Sequence, residues 1–189
     1  NESFGSFQCF GELQFHFLRV LKEKVFDYIR YLDLNMATAH VNYKYRNEKG
    51  EVSSVEREFF ASYPDNVVCM RFISTSEMTI EAKFNLSHDG KTTVDDNEIT
   101  VEGELEDNQL KFNGKMVVVV KDGKVKKKAN SLLIVDSTDV AFFVSAATDY
   151  NNSYPVYRTG ETAEELDKRV QSVIEKAVLK GYEKVKESH

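Results

Sequence analysis

A mostly β fold, a large antiparallel two-sheet sandwich with a C-terminal amphipathic linker helix, is what three features of this sequence predict. Apolar and polar residues alternate through most of the chain, and the segments between the alternating runs are short turns with no room for crossover helices. Near Gly160 the apolar period changes from two to about 3.6. With 189 residues, 41% of them hydrophobic and 30% charged, the chain fits one globular domain big enough for a real core.

The strands follow in order. Leu13, Phe15 and Phe17 alternate with Glu12, Gln14 and His16. Val41, Tyr43 and Tyr45 alternate with Asn42, Lys44 and Arg46, and the turn Asn47-Glu48-Lys49-Gly50 returns the chain as a hairpin partner, Val52 to Tyr63. Pro64-Asp65 suits a turn, because proline favours the first central position and aspartate bonds to local backbone. Asn66 to Ile73 is mostly apolar, as expected of a strand covered on both faces, whereas Met78 to Leu86 alternates as a half-buried strand does. Ser87 to Asn97 reads as a polar loop, followed by strands Glu98 to Leu105 and Leu110 to Val120. An Asp122-Gly123 turn then leads to Lys124 to Val135 as hairpin partner, and Asp139 to Thr148 closes the series. About nine or ten such strands must close or stack to hide their apolar faces, and a two-sheet sandwich does this.

The last stretch, Thr162 to Lys186, reads as one long helix. Leu166, Val170, Val173, Ile174, Ala177, Val178, Tyr182 and Val185 line one face. Thr162 with Glu165 forms a candidate capping box; acidic residues crowd the first turn and lysines the last. At about 1.5 Å per residue the helix would be roughly 36 Å long. The expected organisation is a sandwich over residues 1–150, a loop over 151–160 and a linker helix over 161–189.

Charge and motifs exclude several function classes. A net charge of −6 provides no global basic field for nucleic acid, and no apolar run reaches the ~20 residues of a membrane-spanning helix. The one basic run, Lys124 to Lys128, reads as a solvated hairpin arm. Cys9 and Cys69 lie in separate strand-like segments without a C-x-x-C pattern and read as buried free thiols, with a disulfide between them the alternative. The compartment stays open. Phosphate-loop, dinucleotide-binding, nucleophile-elbow and H-E-x-x-H patterns do not occur, and His16, His40, His88 and His189 stand singly. Two acidic loop clusters, Asp95-Asp96 with Glu98 and Glu104-Glu106-Asp107, read as solvated loops, with a calcium site the alternative. The sequence therefore assigns no catalytic, cofactor-binding or metal-ligating residue.

Several segments together resemble the N-terminal β-sandwich domain of glycoside hydrolase family 95, the α-L-fucosidases and their relatives. Gly5-Ser6-Phe7-Gln8-Cys9-Phe10-Gly11-Glu12-Leu13 is similar to that family's Gly-Ser-Tyr-Gln-x-x-Gly-Asp-Leu stretch, and Tyr31 to Ala37 running on to Tyr43 resembles its next strand pair. The most specific match is Arg57-Glu58-Phe59-Phe60-Ala61-Ser62-Tyr63-Pro64-Asp65-Asn66-Val67, followed by Arg71. Phe142 to Tyr150 and Gly181-Tyr182-Glu183 are similar to a later strand and to the helix that enters the family's helical domain.

The resemblance implies an N-terminally truncated sandwich whose parent continues past His189 into an (α/α)6 barrel that carries the catalytic carboxylate. No catalytic residue carries over to this chain. The expected function is thus a non-catalytic domain of an inverting fucosidase-type hydrolase, with the downstream barrel as partner and a glycan met through the parent enzyme. The alternatives are a free-standing carbohydrate-binding sandwich, or an adhesion or assembly module.

Overall fold

The computed structural model describes residues 9–20, 24–47 and 49–189; part of the Gly5–Leu13 stretch and Glu48 of the first hairpin turn lie outside them. Among the described residues the strands are β1 (Gly11–Phe17), β2 (Val25–Asp33), β3 (Thr38–Arg46), β4 (Val52–Ser62), β5 (Val67–Leu86), β6 (Lys91–Asp95), β7 (Glu98–Glu104), β8 (Lys111–Val120), β9 (Lys124–Lys127) and β10 (Leu132–Thr148). Two helices follow, α1 (Ala163–Lys180) and α2 (Tyr182–Ser188). The mostly β, antiparallel architecture is the one expected. Its ten strands form one hydrogen-bonded sheet in the order β2-β3-β4-β5-β10-β8-β7-β6, with β1 on β5 and β9 on β10 beside that path.

That sheet makes two layers because its two longest strands serve both. The first half of β5 pairs with β4 and with the second half of β10; its second half pairs with β1 and with Leu132 to Ile134. Register shifts on either side of Ser137 mark the bend in β10, as bulges do. The small layer then lies over the large one. Phe15, opposite Ala82 on the small layer, meets Phe72 at 5.1 Å and Phe142 at 4.7 Å between ring centroids. Period-two alternation places Met70, Phe72, Val140 and Phe142 in this core, and Cys69, Ala141 and Phe143 on the opposite face. The large layer is thus buried twice, which is why Asn66 to Ile73 lacks polar alternation.

The helices cover that second face. Thr162 Oγ1 accepts the Glu165 N–H at 3.2 Å while Glu165 Oε2 accepts the Thr162 N–H at 2.8 Å, so the capping box forms. Leu166, Val170, Ile174 and Ala177 are buried, joined by Tyr182 and Val185 of α2. Burying each of the larger side chains contributes about 1.5–3 kcal/mol, so the apolar stripe, rather than helix propensity, holds α1 in place.

Five local expectations are corrected. The Thr162–Lys186 helix is broken at Gly181, whose φ of 82° and ψ of 154° end α1 and re-aim α2. Asn66–Ile73 and Met78–Leu86 are one strand, β5, and Ser87–Asn97 contains β6. Lys124–Val135 is not a partner of β8: β9 pairs with Leu132 to Val135 of β10, through the turn between Lys128 and Ser131. Finally, Cys69 is buried but Cys9 is exposed, and both are free.

Gly181 sits in a backbone region that is essentially reserved for glycine. A Cβ there would meet no atom within 4 Å, so the penalty of Gly181→Ala is conformational alone. The variant is expected to lose about 1–3 kcal/mol in thermal or urea unfolding. An unchanged midpoint would show that the break is not locked.

Candidate functional site

The face where α1 and α2 meet the large layer concentrates the chain's long-range polar contacts, and β4 explains how. Successive side chains of a strand point to opposite faces. Arg57 and Phe59 turn into the core, where the Arg57 guanidinium lies 4.0 Å from the Phe17 ring centroid and donates to the Tyr43 hydroxyl at 2.6 Å. Burial raises the Tyr43 pKa, and the neighbouring Arg57 cation opposes that rise. Glu58, Phe60 and Ser62 turn outward to the helices.

Three anchors result. Glu58 accepts hydrogen bonds from the Tyr182 hydroxyl at 2.8 Å and from Lys186 Nζ at 2.6 Å, with His40 Nε2 3.7 Å away. Asp65, in the turn that Pro64 opens, accepts from Lys180 Nζ and Ser188 Oγ, each at 2.6 Å, and from Ser62 Oγ at 2.9 Å. Arg71 forks onto Asp139, with Nε and Nη2 each 2.8 Å from a carboxylate oxygen, and also pairs with Glu183. Its guanidinium lies 5.3 Å from the Tyr182 ring centroid. A fourth contact fastens the start of α1: Lys115, 6% exposed, is held by Asp167 at 2.9 Å and Glu98 at 3.1 Å. Beside the Gly181 break, an open cleft of about 420 Å³ is lined by Arg71 and Asp139 on the sheet side and by Lys180 to Lys184 on the helices.

Charge states follow from these partners. Burial acts to raise the Glu58 and Asp65 pKa values, but hydrogen bonds from Lys186 and Tyr182 to the first, and from Lys180 and Ser188 to the second, outweigh it and hold both below the usual carboxylate range. Burial, then the hydrogen bond to Glu58, raises the Tyr182 phenol. Burial, then the Asp65 charge, pushes the Cys69 thiol up to about 12. Glu58 and Asp65 are therefore fixed anions. A general acid at neutral pH requires the opposite, a carboxyl raised by its surroundings. Chemically this face is a joint.

The joint has a pH dependence with a definite sign. A carboxyl whose folded pKa is depressed stabilises the fold above its ordinary value and loses that contribution as pH falls through the folded one. The ordinary values are 4.5 for glutamate and 3.8 for aspartate, so helix docking should weaken progressively below about pH 4.5. The protection of α2 amides, taken relative to their intrinsic exchange rates, should fall there, and the double variant Glu58→Gln, Asp65→Asn should flatten the dependence. If the protection of α2 amides does not fall with acid in the native protein, the anchors are weak.

The other candidate residues are dispersed. Among the described residues no group of three or more His, Cys, Asp or Glu is placed to hold a metal ion. Asp95 pairs with Lys127 and Glu98 with Lys115, in separate contacts. His40 stacks on Tyr31 at 4.6 Å and His189 on Phe60 at 4.9 Å. The basic run is spent on a hairpin arm, where Lys127 meets Asp95 and Lys128 meets Glu81. Among the described residues no helix is long and apolar enough to cross a membrane. The sequence singled out Arg57–Val67 with Arg71, and separately Gly181-Tyr182-Glu183, without joining them; the fold brings the two stretches into contact.

Comparison with known proteins bears on what this joint belongs to. A family model described as "Glycosyl hydrolase family 65, N-terminal domain" matches residues 1–153. The chain belongs to that family. The resemblance to family 95 is thus upheld as far as a glycoside hydrolase N-terminal domain, while the family shown for this domain is 65. Among solved structures, "Putative kojibiose phosphorylase from human microbiome" matches with a TM-score of 0.63 at 10% sequence identity, a likeness of fold alone. The match covers 94% of this chain and 26% of that one, so this family 65 N-terminal domain spans about a quarter of that protein's length. No curated protein matches.

Proposed function

We propose that this chain is the non-catalytic N-terminal domain of a carbohydrate-active enzyme, and that α1 and α2 are the linker through which it holds a downstream (α/α)6 catalytic domain. The match of the family 65 N-terminal domain over residues 1–153 carries this reading. The joint supports it. Glu58 and Asp65 on the sheet, the Arg71–Glu183 pair and a buried apolar stripe fix the direction in which the helices leave the sheet, which a rigid connection between two bodies needs. Glycoside hydrolysis with inversion requires an acid and a base about 6.5–9.5 Å apart across the sugar. In this reading both lie in the downstream domain.

Two reactions compete for that domain. The fold neighbour is named for phosphorolysis, in which inorganic phosphate attacks the glycosidic carbon. The Arg57–Val67 and Arg71 segment favours the second, an inverting α-L-fucosidase in which water attacks. An assay of the chain joined to its adjoining polypeptide separates them. A sugar 1-phosphate formed only with added phosphate identifies a phosphorylase, and free fucose released without phosphate identifies the fucosidase. If the joined protein acts on no glycoside under either condition, the proposal fails.

A further inference from the structure

Between the last strand and α1 the chain makes a pinned loop. Asp149, 3% exposed, accepts the Lys111 N–H at 3.0 Å, and the Thr159 N–H closes on the Asp149 carbonyl at 2.7 Å. Tyr150 and Arg158 form an isolated antiparallel bridge, and Arg158 Nη2 donates to the Asn108 carbonyl at 3.0 Å. Within the loop, Tyr157 N–H bonds to the Ser153 carbonyl at 2.9 Å, and Asn151 N–H to the Tyr157 carbonyl at 3.3 Å. Its backbone is therefore held from both ends and across its middle.

Tyr28, Tyr31 and Tyr63 are exposed elsewhere, but this frame gathers three exposed tyrosines within eight residues. Tyr43 and Tyr45 in the sheet are 5% and 3% exposed, whereas Tyr154 is 84%, Tyr150 54% and Tyr157 40% exposed. The Tyr154 and Tyr157 rings stand edge to face, at 81° to each other with centroids 6.2 Å apart. Asn151, Asn152 and Ser153 beside them are exposed as well. Such a surface combines flat apolar ring faces with neutral hydrogen-bonding groups and carries no carboxylate. It matches a sugar ring, whose C–H face is apolar and whose rim is hydroxyl. Pinning the backbone beforehand lowers the ordering entropy that binding must overcome.

We propose that the 150–158 loop is a saccharide-stacking site, with a sugar ring packing on the exposed faces of Tyr154 and Tyr157. The proposal rests on the reading of the parent as carbohydrate-active and adds a contact outside the downstream catalytic domain. It is tested on the 189-residue chain by titrating kojibiose and, separately, 2′-fucosyllactose while following tyrosine ring resonances. Saturable shifts of Tyr154 and Tyr157 are expected with at least one of these sugars. Tyr154→Ala and Tyr157→Ala should each weaken binding about tenfold. Tyr63→Ala, at a residue 94% exposed on the β4–β5 turn, should leave it unchanged. Thermal unfolding checks that the loop variants remain folded. Binding that survives both loop substitutions, or loop resonances unmoved by either sugar, would overturn the proposal. Neither result touches the parent's function, which is read from turnover by the joined protein.

Discussion

Ile174→Asp is expected to detach the helices from the sheet and lower stability by about 3–5 kcal/mol, the range for a buried unpaired charge added to a lost apolar side chain. Ile174 is 1% exposed and sits among Phe60, Cys69, Phe143 and Tyr182, with aliphatic and aromatic groups around it. The isoleucine's own burial accounts for about 1.5–3 kcal/mol of that loss. The remainder comes from desolvating a carboxylate with no counter-charge in the contact. Urea unfolding followed by circular dichroism reads the change. The helical signal should fall before the sheet signal, because the core between the two layers is untouched. A midpoint within error of the native one would mean that the helices are loosely held.

Phe142→Ala should be as damaging and fail differently. Phe142 is fully buried on the inner face of β10, 5.2 Å from Phe72 and 4.7 Å from Phe15 between ring centroids. With Phe72, it is one of the rings through which the large and small layers touch. Truncating such a phenylalanine costs about 3–5 kcal/mol, the lost transfer energy plus the cavity left behind. Since both layers depend on it, sheet and helix signals should be lost together in a single transition. Two separated transitions would show that the layers are independently stable.

The strands were legible because alternation reports burial of one face directly, as from Met78 to Leu86. Their continuity was not. The polar Ser74-Thr75-Ser76 separates an apolar run from an alternating one, so the two read as separate strands, yet β5 continues through it. Its hydroxyls bond to β4, Ser76 Oγ to Ser53 Oγ at 2.6 Å and Thr75 Oγ1 to the Ser54 N–H at 2.9 Å. Pairing choices were also hidden. A tight Asp122-Gly123 turn implies a hairpin locally, but Asp122 instead accepts from Ser137 and Thr138, and β9 turns to β10. Helical periodicity ran across Gly181 because Tyr182 and Val185 are apolar, and periodicity carries no information about φ. The docking face was half visible. Glu58, Asp65 and Arg71 stood out in the segment that resembles family 95, but their partners lie between 68 and 128 residues away, at Asp139, Lys180, Tyr182 and Lys186. Only the fold joins them. The exposed tyrosines of the 150–158 loop gave no periodic signal, since they obey no strand or helix.

Turnover by the 189-residue chain, measured beside the same chain joined to its adjoining polypeptide, tests the assignment of a non-catalytic domain most directly. Both are offered kojibiose and a 2′-fucosyl glycan, with and without inorganic phosphate. The account predicts no sugar release by the chain alone, and release with inverted anomeric configuration by the joined protein. Turnover by the chain alone, abolished by substituting one carboxylate within it, would contradict it.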